Sequence, residues 1–389
     1  MKQSVFILIH QLNIGGAQKA AISALNAIDY DQNDVTVYVR KARLELLGQL
    51  NPRVSKVIIN DDKNKYYRKP YAIYLQWIQK LYKLLGKDDS TVWERLRDYI
   101  ADCQMRYEKK RFFSDGIRYD LAICYIQGYH AKFVATYIDA KRKVMFYHGS
   151  TDALHKVHEE IFGAFSTIYC VTQGAQKELQ RFYPQFASKI SYIENTVPYQ
   201  EIREKANTLV IPRKGSQLVL CSCGRFAIEK GFDIAVETAS ILKKQDLSFI
   251  WYFVGDGPER QRLVERIESY GLQETIILTG MQENPYPYIS VCDIYVQPSR
   301  EESQGLTIIE AQVLLRPVVS TRTVGGQTLV QDGVNGLLTD IDAESIAKAI
   351  GQLSMMSELR KQMESNLKMI DYKAKELEFK ENWAKLLCG

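Results

Sequence analysis

Two glutamates that lie eight residues apart dominate the stretch from Pro298 to Ala311. On a single helix Glu302 and Glu310 would point about 80° apart, at roughly 100° per residue. They converge more easily if Glu302 lies in a loop and Glu310 lies inside the helix that follows. Gly305 would then begin that helix, where free amides and the helix dipole favour an anion such as a phosphate. Two hydroxyl-binding carboxylates beside a phosphate cradle would suit a nucleotide sugar.

Two cations follow another predicted strand, at residues 218–221. Arg225 and Lys230 lie between Gly224 and Gly231, on a strand-to-helix loop at the end of the sheet where ligands bind. Two fixed cations there could hold a diphosphate and stabilise its charge as it leaves. Surface charges on a loop are the alternative interpretation of these residues.

Further candidates also follow predicted strands. Gly255 lies in a glycine-rich turn after the strand at 249–254, and Gly15 and Gly16 follow the first strand of the chain. Glycines at such turns let backbone amides approach a phosphate or a sugar. His148 ends the strand predicted at 144–147 and would face the same ligand. A plain tight turn and a structural histidine are the alternatives for these residues.

Size and composition limit the possible functions. The 389 residues predict two domains, and a hydrophobic content of 46% is enough for two full cores. A net charge of +5 argues against nucleic acid but allows a phosphorylated ligand or an anionic membrane face. The seven cysteines are scattered and odd in number, which predicts buried free thiols in a reducing compartment and no metal site.

The N-terminal apolar run at residues 5–9 is too short for a signal sequence or a membrane span, and it predicts a buried strand. No segment of the sequence holds eighteen uninterrupted apolar residues. We therefore expect a cytoplasmic protein, which could touch the inner face of the cell membrane peripherally.

Strands and helices alternate regularly from Leu218 onward, which predicts a parallel sheet covered on both faces. The strands predicted in this half lie at 218–221, 249–254, 275–279, around 294, at 317–321 and at 336–338. The predicted helices lie at 232–244, 258–270, 286–291 and 306–315. The tail after residue 342 is expected to be helical.

The N-terminal half alternates less regularly, with strands predicted at 5–9, 35–39, 57–60, 121–125, 144–147, 168–172 and 190–193. A mostly helical insertion is expected at about 62–114, and 195–216 fits an interdomain linker. The sequence thus predicts an α/β protein of two doubly wound, Rossmann-like domains, 1–198 and 199–370, that face each other across a ligand-binding cleft. A C-terminal helix at 371–389 could pack back on the N-terminal domain.

Taken together, these motifs resemble the family-4 glycosyltransferases, which have the GT-B fold. The resemblance is strong from Gly224 to Asp340, where Glu302 and Glu310 match the two spaced glutamates of the family. It is weaker in the N-terminal half. The other matching segments are 224–231 with Arg225 and Lys230, 324–326, 332–336, 15–16, 147–149 and 193–195.

The resemblance implies a role for each matching residue. The cations would bind the donor diphosphate, the first glutamate would contact donor-sugar hydroxyls, and the second would hold the ribose. The family transfers sugars with retention and usually without a metal, so no cofactor is implied, and a nucleotide sugar, by resemblance a UDP-sugar, is the donor substrate. The implied catalytic residues are Arg225, Lys230, Glu302 and His148, and the implied donor-binding residues are Gly15, Gly16, Gly224, Gly255, Gly305, Leu306, Thr307 and Glu310.

The sequence departs from the family pattern at two places. Ser303 and Gln304 stand where the family commonly has glycine and an aromatic residue or proline. Because they follow the first glutamate, beside the expected sugar pocket, the identity of the donor sugar stays open. Asn195 begins a stretch that differs from the usual Asn-Gly-Val-Asp, so its role stays open too.

The reaction implied is transfer of a sugar to a glycan or lipid-linked acceptor in cell-surface polysaccharide biosynthesis. No residue indicates a dedicated nucleophile, so we expect a same-face substitution aided by the leaving phosphate. Other enzymes of the same fold, a nucleotide-sugar epimerase or a phosphorylase, are alternatives, although a phosphorylase needs a pyridoxal-type lysine site and a far longer chain. A non-catalytic nucleotide-sugar-binding subunit is a further alternative.

The stretch 63–87 bears on the acceptor. It carries seven basic residues, six aromatic residues and no acidic residue. A basic, aromatic helix can lie on an anionic membrane and present a lipid-linked acceptor. An ordinary helix that packs its apolar stripe on the sheet is the alternative.

Overall fold

The computed structural model describes residues 2–13, 15–61, 90–114, 116–148, 161–213 and 215–389. The stretch 63–87 and most of the predicted insertion lie outside the described residues. By their contacts the residues form two compact units: Met1–Asn13, Asp29–Tyr147 and His155–Ile168 form the first, and Ile14–Ile28, His148–Leu154 and Tyr169–Gly389 form the second. The division at residue 198 and the packing of 371–389 on the N-terminal domain stay predictions.

The first sheet has seven strands among the described residues, in the order β3-β2-β1-β4-β5-β6-β7. The central strand β1 pairs in parallel with β2 and β4, and β2 and β4 pair in parallel with β3 and β5. The strands are β1 (Gln3–Ile9), β2 (Asn33–Val39), β3 (Lys56–Ile59), β4 (Tyr119–Cys124), β5 (Ala140–Tyr147), β6 (Thr167–Cys170) and β7 (Ile190–Tyr192).

The second sheet has six parallel strands in the order β10-β9-β8-β11-β12-β13. Its core packs Leu220, Trp251, Phe253 and Val296, all fully buried, against the covering helices. Apolar side chains on both faces of a strand are expected where helices cover both sides of a parallel sheet. The strands are β8 (Leu218–Cys223), β9 (Phe249–Val254), β10 (Ile276–Gly280), β11 (Ile294–Gln297), β12 (Val318–Thr321) and β13 (Gly336–Thr339).

The helices of the described residues include all those that the sequence predicted there, together with several that it did not predict. None of the described helices is long and apolar enough to cross a membrane. The helices are α1 (Gly16–Asn26), α2 (Ser90–Phe112), α3 (Tyr129–Tyr137), α4 (Gln173–Phe182), α5 (Tyr199–Ala206), α6 (Phe232–Lys244), α7 (Arg260–Ser269), α8 (Tyr286–Val291), α9 (Leu306–Val313), α10 (Val324–Leu329), α11 (Ala343–Met355), α12 (Ser357–Lys368) and α13 (Tyr372–Cys388).

The predicted strands are all confirmed to within a few residues, but one predicted helix begins later than expected. The stretch 195–216, expected as an interdomain linker, contains α5, in which Ile202 is fully buried. Helix α7 begins at Arg260 rather than Pro258, since the Glu259 amide donates to the Phe226 carbonyl instead. The matching segment 324–326 lies in α10, whose N-terminus is capped by the Thr323 hydroxyl.

The cysteines are all free, as predicted, but they are not all buried. Cys124, Cys170, Cys221 and Cys292 are buried, and Cys223 is half-buried. The two remaining ones, Cys103 in the middle of α2 and Cys388 at the end of α13, are exposed.

Candidate active site

The candidate site lies in the second unit, where the strand order reverses. Strands β8 and β11 are neighbours although nonconsecutive in the chain, and the connections from them run to opposite sides of the sheet. Ligands of doubly wound proteins bind at the carboxyl ends of such strands. The loop after β8 carries Lys230, and the loop after β11 carries Glu302. The topology therefore brings together two residues that are 72 positions apart.

Lys230 and Glu302 form an ion pair with 2.7 Å between Nζ and Oε2. Their side chains are 26% and 13% exposed, so the pair is largely withdrawn from water but still reachable. The Gln297 amide also donates to Oε2, at 3.4 Å, and the Gly305 backbone amide donates to Oε1 at 3.1 Å. The carboxylate is thus held by a cation, a side-chain amide and the start of α9.

Gly305 sets the geometry between Glu302 and α9. Its φ is 79°, in the left-handed region that glycine adopts without strain, and it is the N-cap of α9. A Cβ at this position would lie 2.9 Å from Ile308 Cδ1 and 3.3 Å from Glu302 Cγ. A glycine is therefore required for the sharp turn that leads from the Glu302 loop into the helix.

Glu310 lies one turn further along α9, with its side chain only 2% exposed. Its Oε1 accepts hydrogen bonds from Lys19 Nζ of α1, at 2.7 Å, and from the Tyr286 hydroxyl of α8, at 3.2 Å. Lys19 Nζ also donates to the Tyr286 hydroxyl at 3.2 Å. The three groups form a closed triangle of hydrogen bonds around one carboxylate oxygen.

The electrostatics of this triangle favour the ionised pair. Burial alone would lower the pKa of Lys19, but the neighbouring Glu310 carboxylate more than compensates and raises that pKa well above its ordinary value. The pKa of Tyr286 is raised as well, mainly by burial and next by the negative charge of Glu310. Tyr286 is therefore a neutral hydrogen-bond donor at physiological pH, and Lys19 is a fixed cation.

A cavity of about 310 Å³ lies beside these groups in the second unit. This volume is at the lower end of the range of small-molecule sites. The cavity contains the Lys230–Glu302 pair on its wall, and Asn195, Ser303 and Gln304 border it as well. Six of the predicted site residues line it: Gly16, His148, Lys230, Glu302, Gly305 and Leu306.

The remaining predicted site residues do not line this cavity. Arg225 has a side chain that is 67% exposed and lies 3.5 Å from the Glu229 carboxylate. Gly15 caps the N-terminus of α1, and the Thr307 hydroxyl donates to the Gln297 side chain at 3.0 Å. Glu310 is buried behind the start of α9.

Gly224 and Gly255 have a structural relationship to each other. The backbone of Gly255 has a φ of 148°, and a Cβ there would lie 1.9 Å from the Gly224 carbonyl oxygen. Glycine is therefore the residue that lets the turns after β8 and β9 cross closely. This contact supports the loop that carries Arg225 and Lys230.

Ser303 and Gln304, which depart from the family pattern, connect the Glu302 loop to its surroundings. The Ser303 hydroxyl donates to the His148 carbonyl at 2.9 Å. Gln304 and Asn195 exchange two hydrogen bonds: Asn195 Nδ2 donates to Gln304 Oε1 at 2.6 Å, and Gln304 Nε2 donates to the Asn195 carbonyl at 2.9 Å. We call the Asn195–Gln304 pair the amide clasp. It gives Asn195 a position at the site that the sequence left open.

Sequence reasoning missed several residues that hold the site together. Lys19 lies in the first turn of the helix after Gly15 and Gly16, a position that could have marked it, whereas Tyr286 has no sequence signal. Arg300, two residues before Glu302, makes two 2.7 Å hydrogen bonds to the Asp233 carboxylate. This bidentate pair fixes the loop against α6.

The described residues contain no group of three or more His, Cys, Asp or Glu side chains that could hold a metal ion. The charged residues that line the cavity are Glu229, Lys230, Glu301 and Glu302.

Comparison with solved structures identifies the architecture. The crystal structure of Anabaena Alr3699/HepE in complex with UDP and glucose matches this chain with a TM-score of 0.73, over 99% of both chains, at 18% sequence identity. The two parallel α/β sheets of this chain are thus those of the GT-B glycosyltransferases, which confirms the predicted fold class.

Comparison of sequences finds a family match in the C-terminal half. Residues 205–369 match the family model described as "Glycosyl transferases group 1". Over 143 residues the chain is 36% identical to the "Lipopolysaccharide core biosynthesis glycosyltransferase LpsE" of Rhizobium meliloti. This match covers 36% of this chain and 41% of that relative. Over 146 residues it is 32% identical to the "Alpha-D-kanosaminyltransferase" of Streptomyces kanamyceticus. This second match covers 37% of this chain and 38% of that relative. The chain thus spans about two fifths of the length of these relatives.

Proposed function

We propose that this protein transfers a sugar, with retention and without a metal, from a nucleotide sugar to a glycan or lipid-linked acceptor. The observation that carries the proposal is the meeting of Lys230 and Glu302 on the wall of one cavity at the switch point of the second sheet. A cation for the diphosphate and a carboxylate for the sugar hydroxyls stand there at adjacent positions.

The proposed reaction breaks the bond between the anomeric carbon and the diphosphate oxygen. Positive charge then develops on the sugar and negative charge on the diphosphate, which Lys230 and Arg225 would stabilise electrostatically. The acceptor oxygen forms the new bond on the same face, and its proton passes to the leaving phosphate oxygen. The Arg225 side chain is exposed and would have to turn toward the donor for this role.

The proposed donor is a UDP-sugar that carries a hexose. The relatives include one named for lipopolysaccharide core biosynthesis, and the fold matches a protein whose structure contains UDP and glucose. These names support a cell-surface polysaccharide acceptor and a uracil nucleotide. Ser303 and Gln304 border the cavity beside Glu302, so they would contribute to the choice of sugar.

We further propose that the protein acts in the cytoplasm, at the inner face of the cell membrane. The support is the basic, aromatic composition of 63–87, which lies outside the described residues. Flotation of the full chain with liposomes should show binding that requires anionic lipid. Absence of lipid-dependent binding would remove the membrane from the proposal and leave the transfer reaction untouched.

The test of the function is nucleotide release from UDP-, GDP- and ADP-sugars in the presence of EDTA. Wild type should release nucleotide selectively from one donor, and Glu310→Ala should lose this activity. Lys361→Ala, a change of an exposed lysine on α12, is the matched control and should behave as wild type. Analysis of the products separates transfer from an epimerase, which would convert the donor sugar without an acceptor.

Release that depends on added metal would contradict the proposed mechanism. If no donor is turned over with any acceptor, while nucleotide sugars bind, the chain is the non-catalytic subunit that the sequence left open. Equal activity in wild type and Glu310→Ala would exclude Glu310 from the donor site.

A further inference from the structure

The carboxylate of Glu310 is satisfied on one oxygen only. Oε1 accepts from both Lys19 and Tyr286. Oε2 is buried and has no hydrogen-bond partner among the residues that the structure describes. A buried carboxylate oxygen without a donor is unfavourable, so its position is one where a ligand hydroxyl would be bound strongly.

Lys19 is placed by several contacts at once. Its Nζ lies 2.7 Å from Glu310 Oε1, 3.2 Å from the Tyr286 hydroxyl and 5.0 Å from the centroid of the Tyr286 ring. A lysine side chain is flexible, and holding it in one geometry costs conformational entropy. Here three contacts to two residues fix its ammonium group, and the side chain is 26% exposed.

The same turn of α1 reaches the cavity. Gly16 and Ala17 line the cavity, and Lys19 follows them by three and two residues, respectively, on the helix. A Cβ on Gly16 would lie 3.9 Å from Leu306 Cδ1, at the start of the helix that carries Glu310. Helices α1 and α9 therefore approach each other at the cavity wall and again at the Lys19–Glu310 pair.

We propose that Lys19 is a positioning residue for the donor: it neutralises the Glu310 carboxylate and directs Oε2 toward the ribose hydroxyls of the nucleotide. The inference rests on the proposed function, because it needs a nucleotide in this site. Lys19 occupies Oε1 together with Tyr286, which leaves Oε2 as the acceptor for the ligand. Loss of Lys19 would leave Glu310 buried without a counter-charge, and the carboxylate would rotate or take up a proton.

The test compares a nucleotide with its analogue that lacks the ribose hydroxyls. Calorimetric titration of the full chain with UDP and 2′,3′-dideoxy-UDP gives the ratio of the two dissociation constants, and GDP and ADP are titrated in the same pairs. Wild type should bind one ribonucleotide about tenfold or more tightly than its dideoxy analogue, as expected for hydrogen bonds to a charged group. Glu310→Gln should bring this ratio close to 1.

Lys19→Met keeps most of the side-chain volume without the charge, and its ratio should fall to within about threefold of 1. Lys19→Arg keeps the charge and should retain most of the wild-type ratio. A ratio is insensitive to a loss of folded protein or a general weakening of the site, so a purely structural role would lower both affinities and leave the ratio unchanged. Thermal melting of each variant identifies one that fails to fold, in which case Lys19→Gln replaces Lys19→Met.

A wild-type ratio in Lys19→Met, or loss of the ratio in Lys19→Arg together with unchanged folding, would overturn the proposal. Failure of wild type to bind any of the nucleotides would instead refute the proposed function, and this inference would fall with it. A wild-type ratio near 1 would refute ribose binding at Glu310 while leaving nucleotide binding intact. The two proposals can therefore fail separately.

Discussion

Lys230 and Glu302 are paired across 2.7 Å, so the cation that should bind the diphosphate is held by the carboxylate that should bind the sugar. A diphosphate that enters the cavity must draw Lys230 away from Glu302 or share it. The pair is partly exposed, and the interaction of partly exposed ions is worth only about 1 kcal/mol or less. The ligand can therefore compete for Lys230 at modest cost.

Glu302→Gln separates the effect of Glu302 on diphosphate binding from its effect on sugar transfer. Without the carboxylate, Lys230 is free to bind a diphosphate, and the cavity has one negative charge fewer to repel the ligand. We expect UDP, or whichever nucleoside diphosphate the protein selects, to bind about threefold to fivefold more tightly, as calorimetry would show. Sugar transfer should fall by about 100-fold, because the hydroxyl contact that aligns the donor sugar is lost.

The control for this change is Glu301→Gln, which also removes a carboxylate from a residue that lines the cavity. It leaves the pair with Lys230 intact and should change nucleoside diphosphate affinity less than Glu302→Gln. Weaker binding of the diphosphate by Glu302→Gln would show that Glu302 does not compete with the ligand.

The amide clasp should stabilise the Glu302 loop. Asn195 and Gln304 are both buried, so Gln304→Leu breaks two hydrogen bonds away from water. We expect the free energy of unfolding to fall by about 1–3 kcal/mol. Because Gln304 is two residues from Glu302, the donor KM should rise as well. Urea denaturation and initial rates measure these changes.

Gln327→Leu is the matched control for the clasp. The Gln327 amide also makes one backbone hydrogen bond, to the Arg322 carbonyl, but it is exposed. Its loss should change the free energy of unfolding by no more than about 0.5 kcal/mol. Equal effects of Gln304→Leu and Gln327→Leu would mean that the clasp does not stabilise the loop.

Features that depend on a short stretch of sequence were predictable, whereas contacts between residues far apart in the chain were not. Strands β8 to β13 were predictable because their buried residues form continuous apolar runs between helices. Glu302 and Lys230 were predictable separately, since each follows a strand and the strand order brings both to one edge.

The Lys19–Glu310 contact was not predictable in this way. It joins residues 291 positions apart, and its partner Tyr286 lies on a short helix with no distinctive pattern. The helix α5 was hidden for a different reason: it is highly charged, with an ion pair between Glu201 and Lys205, and only Ile202 and Ala206 are buried. Few buried positions give a weak periodic signal.

Gly255→Ala should destabilise the second unit. The Cβ would meet the Gly224 carbonyl oxygen, and backbone atoms cannot move aside as a side chain can. We expect a loss of at least about 2 kcal/mol in the free energy of unfolding, measured by urea denaturation. Gly351→Ala, inside α11 with open space around it, should instead stabilise the protein by about 0.5–1 kcal/mol. The opposite order of the two variants would contradict this account of Gly255.

A histidine pair in the first unit should make stability depend on pH. His130 Nε2 lies 2.7 Å from His10 Nδ1. Burial is the largest cause that holds the pKa of His130 well below its ordinary value of 6.5. The charges of Arg40, His10 and Lys41 lower this pKa further. Below pH 6.5 the unfolded chain therefore binds more protons than the folded protein. The free energy of unfolding consequently falls as the pH falls below 6.5.

We expect His130→Gln to reduce this loss, since a neutral amide needs no proton in either state. For each unit of pH below 6.5, the free energy of unfolding of wild type should fall by up to about 1.4 kcal/mol more than that of the variant. This difference stops growing once the pH reaches the pKa of His130 in the folded protein. Urea denaturation at pH 7.5, 6.5 and 5.5 measures the difference. Identical pH slopes for the two proteins would show that His130 is not kept neutral by folding.

The central claim is that Lys230, with Arg225, stabilises the diphosphate of a nucleotide sugar. The most direct measurement is the rate of nucleotide release from the selected donor by wild type, Lys230→Ala and Arg225→Ala, with Lys361→Ala as the control. We predict a loss of about 100-fold or more for Lys230→Ala, a large loss for Arg225→Ala and no loss for the control. Near-normal rates in both Lys230→Ala and Arg225→Ala would contradict the assignment of this cavity as the donor site.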